Sequence, residues 1–136
     1  MRFVDTNVLL YSVSGDPAES VQAGIAAELL RHADLALSAQ VLQEFYVQAT
    51  HPRRPDALSS EDALALIRTW LRYPVQETTA ELVRAAVTCS QRWQISYWDA
   101  AVVEAARALG CNRLLTEDLN HGQEFGGVVV VNPFDR

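Results

Sequence analysis

The chain contains no lysine: all eleven basic residues among its 136 are arginine. That absence excludes mechanisms built on an ammonium side chain, among them a Walker-type P-loop, a Schiff base and a receiver-type phosphoacceptor. A GC-rich genome suffices as its cause, and the exclusions hold either way. Cysteine is almost as scarce. Cys89 and Cys111 fall in helix-like sequence, so no disulfide framework is expected, the thiols read as small buried or boundary residues, and a reducing cytoplasm is the expected location. Long apolar runs are missing too. Val128 to Val131 is strand-sized, far below membrane-span length, so no membrane partner is expected. The first apolar residues are interrupted by Asp5 and Asn7, which is not the pattern of a signal peptide. Nothing is repeated or low in complexity. Only three histidines occur, and His32, His51 and His121 share no metal-ligand spacing. Basic charge is also short: the net charge of −6 means that the surface as a whole does not attract nucleic acid.

What is present fits one globular domain over residues 1–136, with 49% apolar residues and length enough for a real core. Short β-like runs alternate with helical stretches. Residues 2–5, 35–38, 113–116 and 128–131 read as strands. Val21, Ile25, Ala26, Leu29, Leu30 and Ala33 trace a helix face after the Gly15-Asp16-Pro17 turn. A second helix carries Val41, Leu42, Phe45 and Tyr46. A third, capped by Ser59 or Ser60, carries Ala63, Leu66, Ile67, Trp70 and Leu71 and stops at Pro74. A fourth carries Leu82, Val83, Ala86, Val87 and Trp93. Ser96 reads as the cap of a nearly all-apolar, central helix from Tyr97 to Leu109 that Gly110 ends. Residues 51–55 and 117–127 read as loops. This alternation predicts the α/β class, a central parallel sheet of about five strands with helices on both faces. Ligands in such folds bind at the carboxyl ends of the strands, and Asp5 and Asp118 both fall there.

Four acids stand in comparable settings: Asp5 after the first strand, Glu44 in mid-helix, Asp99 in the first turn of the central helix, and Asp118 after a strand. Each alone has a plainer reading. Asp5 suits a turn, Asp99 suits a helix dipole, Glu44 suits an exposed helix face and Asp118 suits any polar loop. Together they suit a hard divalent cation bound through oxygen, and two such ions about 4 Å apart can drive phosphodiester hydrolysis. Asn7 and Asn120 can orient the carboxylates, and the Thr116 hydroxyl can position a water or phosphate.

In order and spacing, Asp5-Thr6-Asn7, Ser38 with Glu44, Ser96-Tyr97-Trp98-Asp99-Ala100, Leu115-Thr116-Glu117-Asp118-Leu119-Asn120 and Val131-Asn132-Pro133-Phe134 resemble the PIN-domain family. Within it they resemble the small VapC-like toxins of toxin–antitoxin pairs, over essentially the whole chain. The resemblance implies an endoribonuclease dependent on Mg²⁺ or Mn²⁺, usually a homodimer, restrained by a VapB-like antitoxin. It implies Asp5, Glu44, Asp99 and Asp118 as the catalytic and metal-binding quartet, supported by Asn7 and Thr116. Candidate contacts to an RNA substrate are Arg53 and Arg54, on phosphate, and Tyr97, by stacking on a base. Trp98 is a second candidate for such stacking, and its preferred reading is a core aromatic.

Three rivals follow from the same residues. A haloacid-dehalogenase-like phosphatase needs a second Asp where Asn7 stands, and a lysine. A non-catalytic module would use the acids to accept arginine from a partner. A PIN nuclease of RNA processing would work without an antitoxin.

Overall fold

Successive side chains on a strand point to opposite faces, so a strand with no exposed position is covered on both sides. Leu35–Ser38 is buried at all four positions. The computed structural model, which describes residues 1–135, places this segment as strand β2 of a six-stranded sheet. The others are β1 (Arg2–Val4), β3 (Val75–Gln76), β4 (Arg113–Leu115), β5 (Glu124–Phe125) and β6 (Val128–Val131). Their order is β3-β2-β1-β4-β6-β5. All pairings are parallel except that of β5 with β6. The α/β class and the mainly parallel sheet are as expected from the sequence. The sheet is wider than expected because β3 and β5 have two residues each, too short to leave an alternation. The segment 117–127, read as a loop, contains β5.

Among the described residues six α-helices pack around this sheet: α1 (Thr6–Ser12), α2 (Ser20–Leu29), α3 (Ala39–Ala49), α4 (Ser60–Trp70), α5 (Ala80–Trp93) and α6 (Tyr97–Ala108). Side-chain caps start all of them but α2. Ser38, Ser59, Thr79 and Ser96 each accept a hydrogen bond from the amide three residues on, at 3.1–3.2 Å, satisfying a donor that the helix leaves unpaired. Gly110 follows α6 with φ +77°, a left-handed turn that a side chain would disfavour. Helix α1 was not legible. Its seven residues are too few for a period, and its cap is Asp5 itself.

Helix α5 lies along α6, α1 contacts α2 and α3, and α6 reaches β2, β4 and β6. The fully buried centre includes Phe3, Leu9, Leu37, Phe45, Val103, Leu114 and Phe125. Phe45 meets Trp70 edge-on, with ring centres 4.7 Å apart. The predicted helix stripes were too broad: Val21, Leu71, Val83 and Val87 are exposed, and Ala33 lies beyond α2. Both cysteines are buried, and burial pushes the Cys89 thiol up to about 11, which suits an unreactive packing residue. Among the described residues no helix is long and apolar enough to cross a membrane. The sheet order reverses at β1, with β2 on one side and β4 on the other. The crevice above their carboxyl ends is where such sheets bind ligands.

Candidate functional site

Val4 lies opposite Leu115 in the parallel register of β1 and β4, so the next residues, Asp5 and Thr116, emerge side by side. The Asp5 amide donates to the Leu115 carbonyl and the Thr116 amide to the Val131 carbonyl, both at 3.1 Å. The ladder thus extends one residue past each strand and holds both side chains at the switch point. Asp5 caps α1, its Oδ1 accepting from the Thr6 amide at 2.7 Å. Its Oδ2 accepts from the Thr116 hydroxyl at 2.8 Å.

A hydroxyl has a single proton. Because Thr116 Oγ1 directs its proton to Asp5, it must act as an acceptor elsewhere. It does so twice, from Asn7 Nδ2 and from the Asp118 amide, each at 3.0 Å. That requirement sets which way the Asn7 amide points. The same Nδ2 donates to Asp118 Oδ2 at 3.3 Å. On the other side, the Thr6 hydroxyl donates to Glu44 Oε2 at 2.8 Å, and Gln40 Nε2 donates to Glu44 Oε1 at 2.9 Å. Asp5, Glu44 and Asp118 therefore hang on one network of neutral donors. Among the described residues none of them forms an ion pair.

The electrostatic cost appears in the protonation equilibria. Asp5 is 5% exposed, and burial pushes its carboxyl up to about 7 against the pull of the Thr6 amide and Thr116 hydroxyl. The Asp118 and Glu44 carboxylates add to the rise. Asp99, at the third position of α6, is raised by burial, lowered by Ser96, and raised again by Asp118 and Glu44. The four predicted acids share one negative field, and among the described residues no cationic side chain is paired to it.

All the acidic donors are hard oxygens, which suit Mg²⁺ or Mn²⁺ rather than a soft metal. A further oxygen, Asn7 Oδ1, is buried without a hydrogen-bond partner. Among the described residues no three acidic, histidine or cysteine side chains converge closely enough to enclose a cation alone. The arrangement fits a cation that keeps most of its water and touches one or two carboxylates, the usual habit of Mg²⁺.

Of the four acids, Glu44 and Asp118 line a cleft of ≈ 300 Å³ whose walls also include Asn7 and Arg54, and Asp5 and Asp99 lie outside its lining. Arg54 Nε bonds Asp56 Oδ1 at 3.0 Å, which presents the guanidinium at the cleft wall. Arg53 is exposed on the neighbouring loop. The side chain of Asn120 is exposed and forms no hydrogen bond to the acids among the described residues; its carbonyl accepts from the Gln123 amide. His121 Nδ1 accepts from the Asn132 amide at 3.0 Å, tying two loops together. Tyr97 is half-buried against the core, whereas Trp98 is 65% exposed. The reading of Trp98 as a core aromatic is thus corrected: burial along α6 begins at Ala100, and the first turn projects beyond the elements that cover it.

Four polar cleft residues were given no role in the sequence reading: Tyr11, Glu19, Gln48 and Glu117. The Tyr11 hydroxyl donates to both Glu117 carboxylate oxygens, at 2.9 and 3.1 Å. Burial first, and then this carboxylate, push the phenol up to about 12. Glu117 was signalled only by adjacency to Asp118. Tyr11 could not be found without α1.

The PIN-domain family model matches residues 2–123. No curated protein gives a sequence match. Among solved structures, the chain is similar to the sarcin–ricin-loop-cleaving toxin VapC20 of Mycobacterium tuberculosis, with 24% identity, a TM-score of 0.68 and coverage of 87% of this chain and 90% of that one. A toxin–antitoxin complex from Klebsiella pneumoniae superposes with a TM-score of 0.73 at 18% identity, over 98% of both chains. VapBC2 of Rickettsia felis, bound to a promoter DNA fragment, gives 0.64 at 14% identity, over 95% and 96%. At these identities the likeness is one of fold.

Proposed function

The chain belongs to the PIN-domain family, and from that membership together with its strand-end acids we propose that it is a divalent-cation-dependent endoribonuclease, the toxin of a toxin–antitoxin pair. The observation that carries the reading is Asp5: a buried carboxylate, raised to about 7, joined through Thr116, Asn7 and Thr6 to Asp118 and Glu44. A buried charge held only by neutral donors is costly until a cation joins it.

Asp5, Asp99, Asp118 and Glu44 would hold Mg²⁺ or Mn²⁺, one or two of them directly and the others through its bound waters. When bound, the cation supplies a water acidic enough to attack at neutral pH and neutralises charge developing on the phosphoryl oxygens. The protein's own part is positional. Thr116 holds the Asp5 carboxylate in one orientation, Asn7 holds Asp118, and Thr6 with Gln40 holds Glu44. Arg54, on the wall of the same cleft, offers a guanidinium to a substrate phosphate, with Arg53 on the loop beside it. The net charge of −6 opposes RNA over the surface as a whole, whereas at the site itself a bound cation would make an anion acceptor.

The antitoxin is supported by the fold shared with the toxin–antitoxin complexes of Klebsiella pneumoniae and Rickettsia felis. A homodimer is supported by exposed Leu64, Leu71, Val83 and Val87 on α4 and α5 and the turn after α4, apolar surface that a partner would cover. The test is cleavage of total RNA by the purified protein with Mg²⁺, with EDTA, and as the Asp5→Asn variant. Cleavage that needs the cation and falls at least ~100-fold in the variant is expected, the size seen when one preorganised charge-stabilising group is lost. Equal cleavage by both proteins would sink the reading. Induced expression should arrest growth in the wild type and not in Asp5→Asn, and a cognate antitoxin should relieve the arrest.

A further inference from the structure

Beside the acid centre lies a second cleft, ≈ 380 Å³, lined by Gln40, Gln43, Glu44, Val47, Gln48 and Trp98. Its chemistry differs from that of the first. It has three amides, an indole and an exposed valine, and no arginine in its lining. The indole is 65% exposed and Val47 61%. Tyr97, seated against the core, meets Trp98 edge-on with ring centres 5.1 Å apart. Trp98 is thus backed by a fixed neighbour while its own surface faces out.

The two clefts are neighbours. Glu44 and Gln48 line both. Gln40 Nε2 donates to Glu44 Oε1 at 2.9 Å and to the Trp98 carbonyl at 3.3 Å. One amide therefore couples the backbone carrying the indole to a carboxylate of the acid centre. A ligand that reaches both clefts has a charged part for the first and a flat, hydrogen-bonding part for the second. Phosphate does not fit the second cleft, which lacks a cation. A nucleobase does: its face stacks on an indole and its edge pairs with glutamine amides.

We infer that the Trp98 cleft is a nucleobase subsite, in which an unpaired base of the RNA stacks on the indole and is read at its edge by Gln43 and Gln48. This rests on the ribonuclease reading above and names a specificity element for it. The substrate is then a single-stranded or looped segment, since a base held in a duplex cannot present its face to an indole.

Binding is measured with the full-length Asp5→Asn protein, which leaves RNA uncut. The probes are r(A)5, r(U)5, r(C)5 and a five-unit abasic ribose phosphate. Trp70 is 3% exposed and Trp93 half-buried, so fluorescence quenching on stacking reports chiefly Trp98. The base-containing probes should quench and bind more tightly than the abasic one. Adding Trp98→Leu should weaken them by roughly 5- to 150-fold, the range for loss of one base–aromatic stack. Trp98→Phe should retain affinity within a few-fold. Gln43→Leu with Gln48→Leu should reorder the preference among the three bases. In the cleavage-competent protein, Trp98→Leu should raise KM and leave kcat.

Equal affinity for base-containing and abasic probes would overturn the subsite. So would a Trp98→Leu variant that becomes monomeric in light scattering, because the patch would then be an interface between copies. A wild type that cuts no RNA sinks the ribonuclease reading, while the probe affinities still decide the subsite. A wild type that cuts RNA, with KM unmoved by Trp98→Leu, sinks the subsite alone.

Discussion

Acids on the outer loops and acids at the strand ends keep opposite company. Asp34 meets Arg2 at 2.9 Å, and Asp56 meets Arg54 at 3.0 Å while also accepting from the Gly15 amide. The hydrogen bond from Arg2 holds Asp34 below the usual carboxylate range, and the Gly15 amide first, with Arg54, does the same for Asp56. At the strand ends no cationic side chain pairs with Asp5, Glu44 or Asp118 among the described residues, and Asp5 is raised to about 7. The outer acids are complete within the chain. The inner set is complete only with something positive from outside it. None of the arginines among the described residues pairs with this network, which marks the deficit as functional rather than accidental.

The largest effect that sharpens this contrast is on stability against pH. Folded Asp5 keeps its proton up to about 7, whereas the unfolded chain releases it near the ordinary value of about 4. Between those values the folded state binds more protons, so stability falls as pH rises, by on the order of 4 kcal/mol over the whole window. The outer acids act in the opposite sense: their contribution is present above the ordinary range and is lost as pH falls through their lowered values. Urea unfolding in EDTA should show lower stability at pH 7.5 than at pH 5, and Asp5→Asn should flatten that slope. Added Mg²⁺ should restore more stability at pH 7.5 than at pH 5. A profile without a slope would erase the distinction between the two sets of acids.

A smaller effect comes from Thr116→Val, which keeps the shape and removes the hydroxyl. Asp5 loses a donor, while Asn7 and the Asp118 amide lose an acceptor. Leaving such groups unpaired in a buried setting should cost about 3 kcal/mol, read as a lower urea midpoint with an unchanged slope. It should also move the pH-dependent fall upward, since Thr116 is one of the groups lowering Asp5. Smallest of all is Asp34→Asn on the outer surface, where the midpoint at moderate salt should not move beyond measurement error.

Much of this was legible because the signals were local. The runs at 35–38 and 128–131 are strand-sized and apolar, Ser96 has the form of a helix cap, and Asp5 and Asp118 follow strands. What was hidden depends on partners far along the chain. Thr6 is ordinary in sequence and becomes the link to Glu44, 38 residues away. Tyr11 joins Glu117 only because α1 turns it into the cleft. Trp98 illustrates a different limit. Periodicity identifies a helix but not where along its length the covering layer ends, so the first-turn indole read as core and is exposed. Asn120 shows the converse, a polar residue close to Asp118 in sequence whose side chain faces solvent.

The pairing of Val4 with Leu115 also governs how this chain can vary in length. One residue inserted into β1 or β4 would turn Asp5 or Thr116 to the opposite face of the sheet and dismantle the hydroxyl contact between them. A residue inserted near Asp16 or Arg53, on exposed turns, leaves that alignment untouched. Descendants of this protein are therefore free to grow at their loops, while the two inner strands must keep their count from one generation to the next.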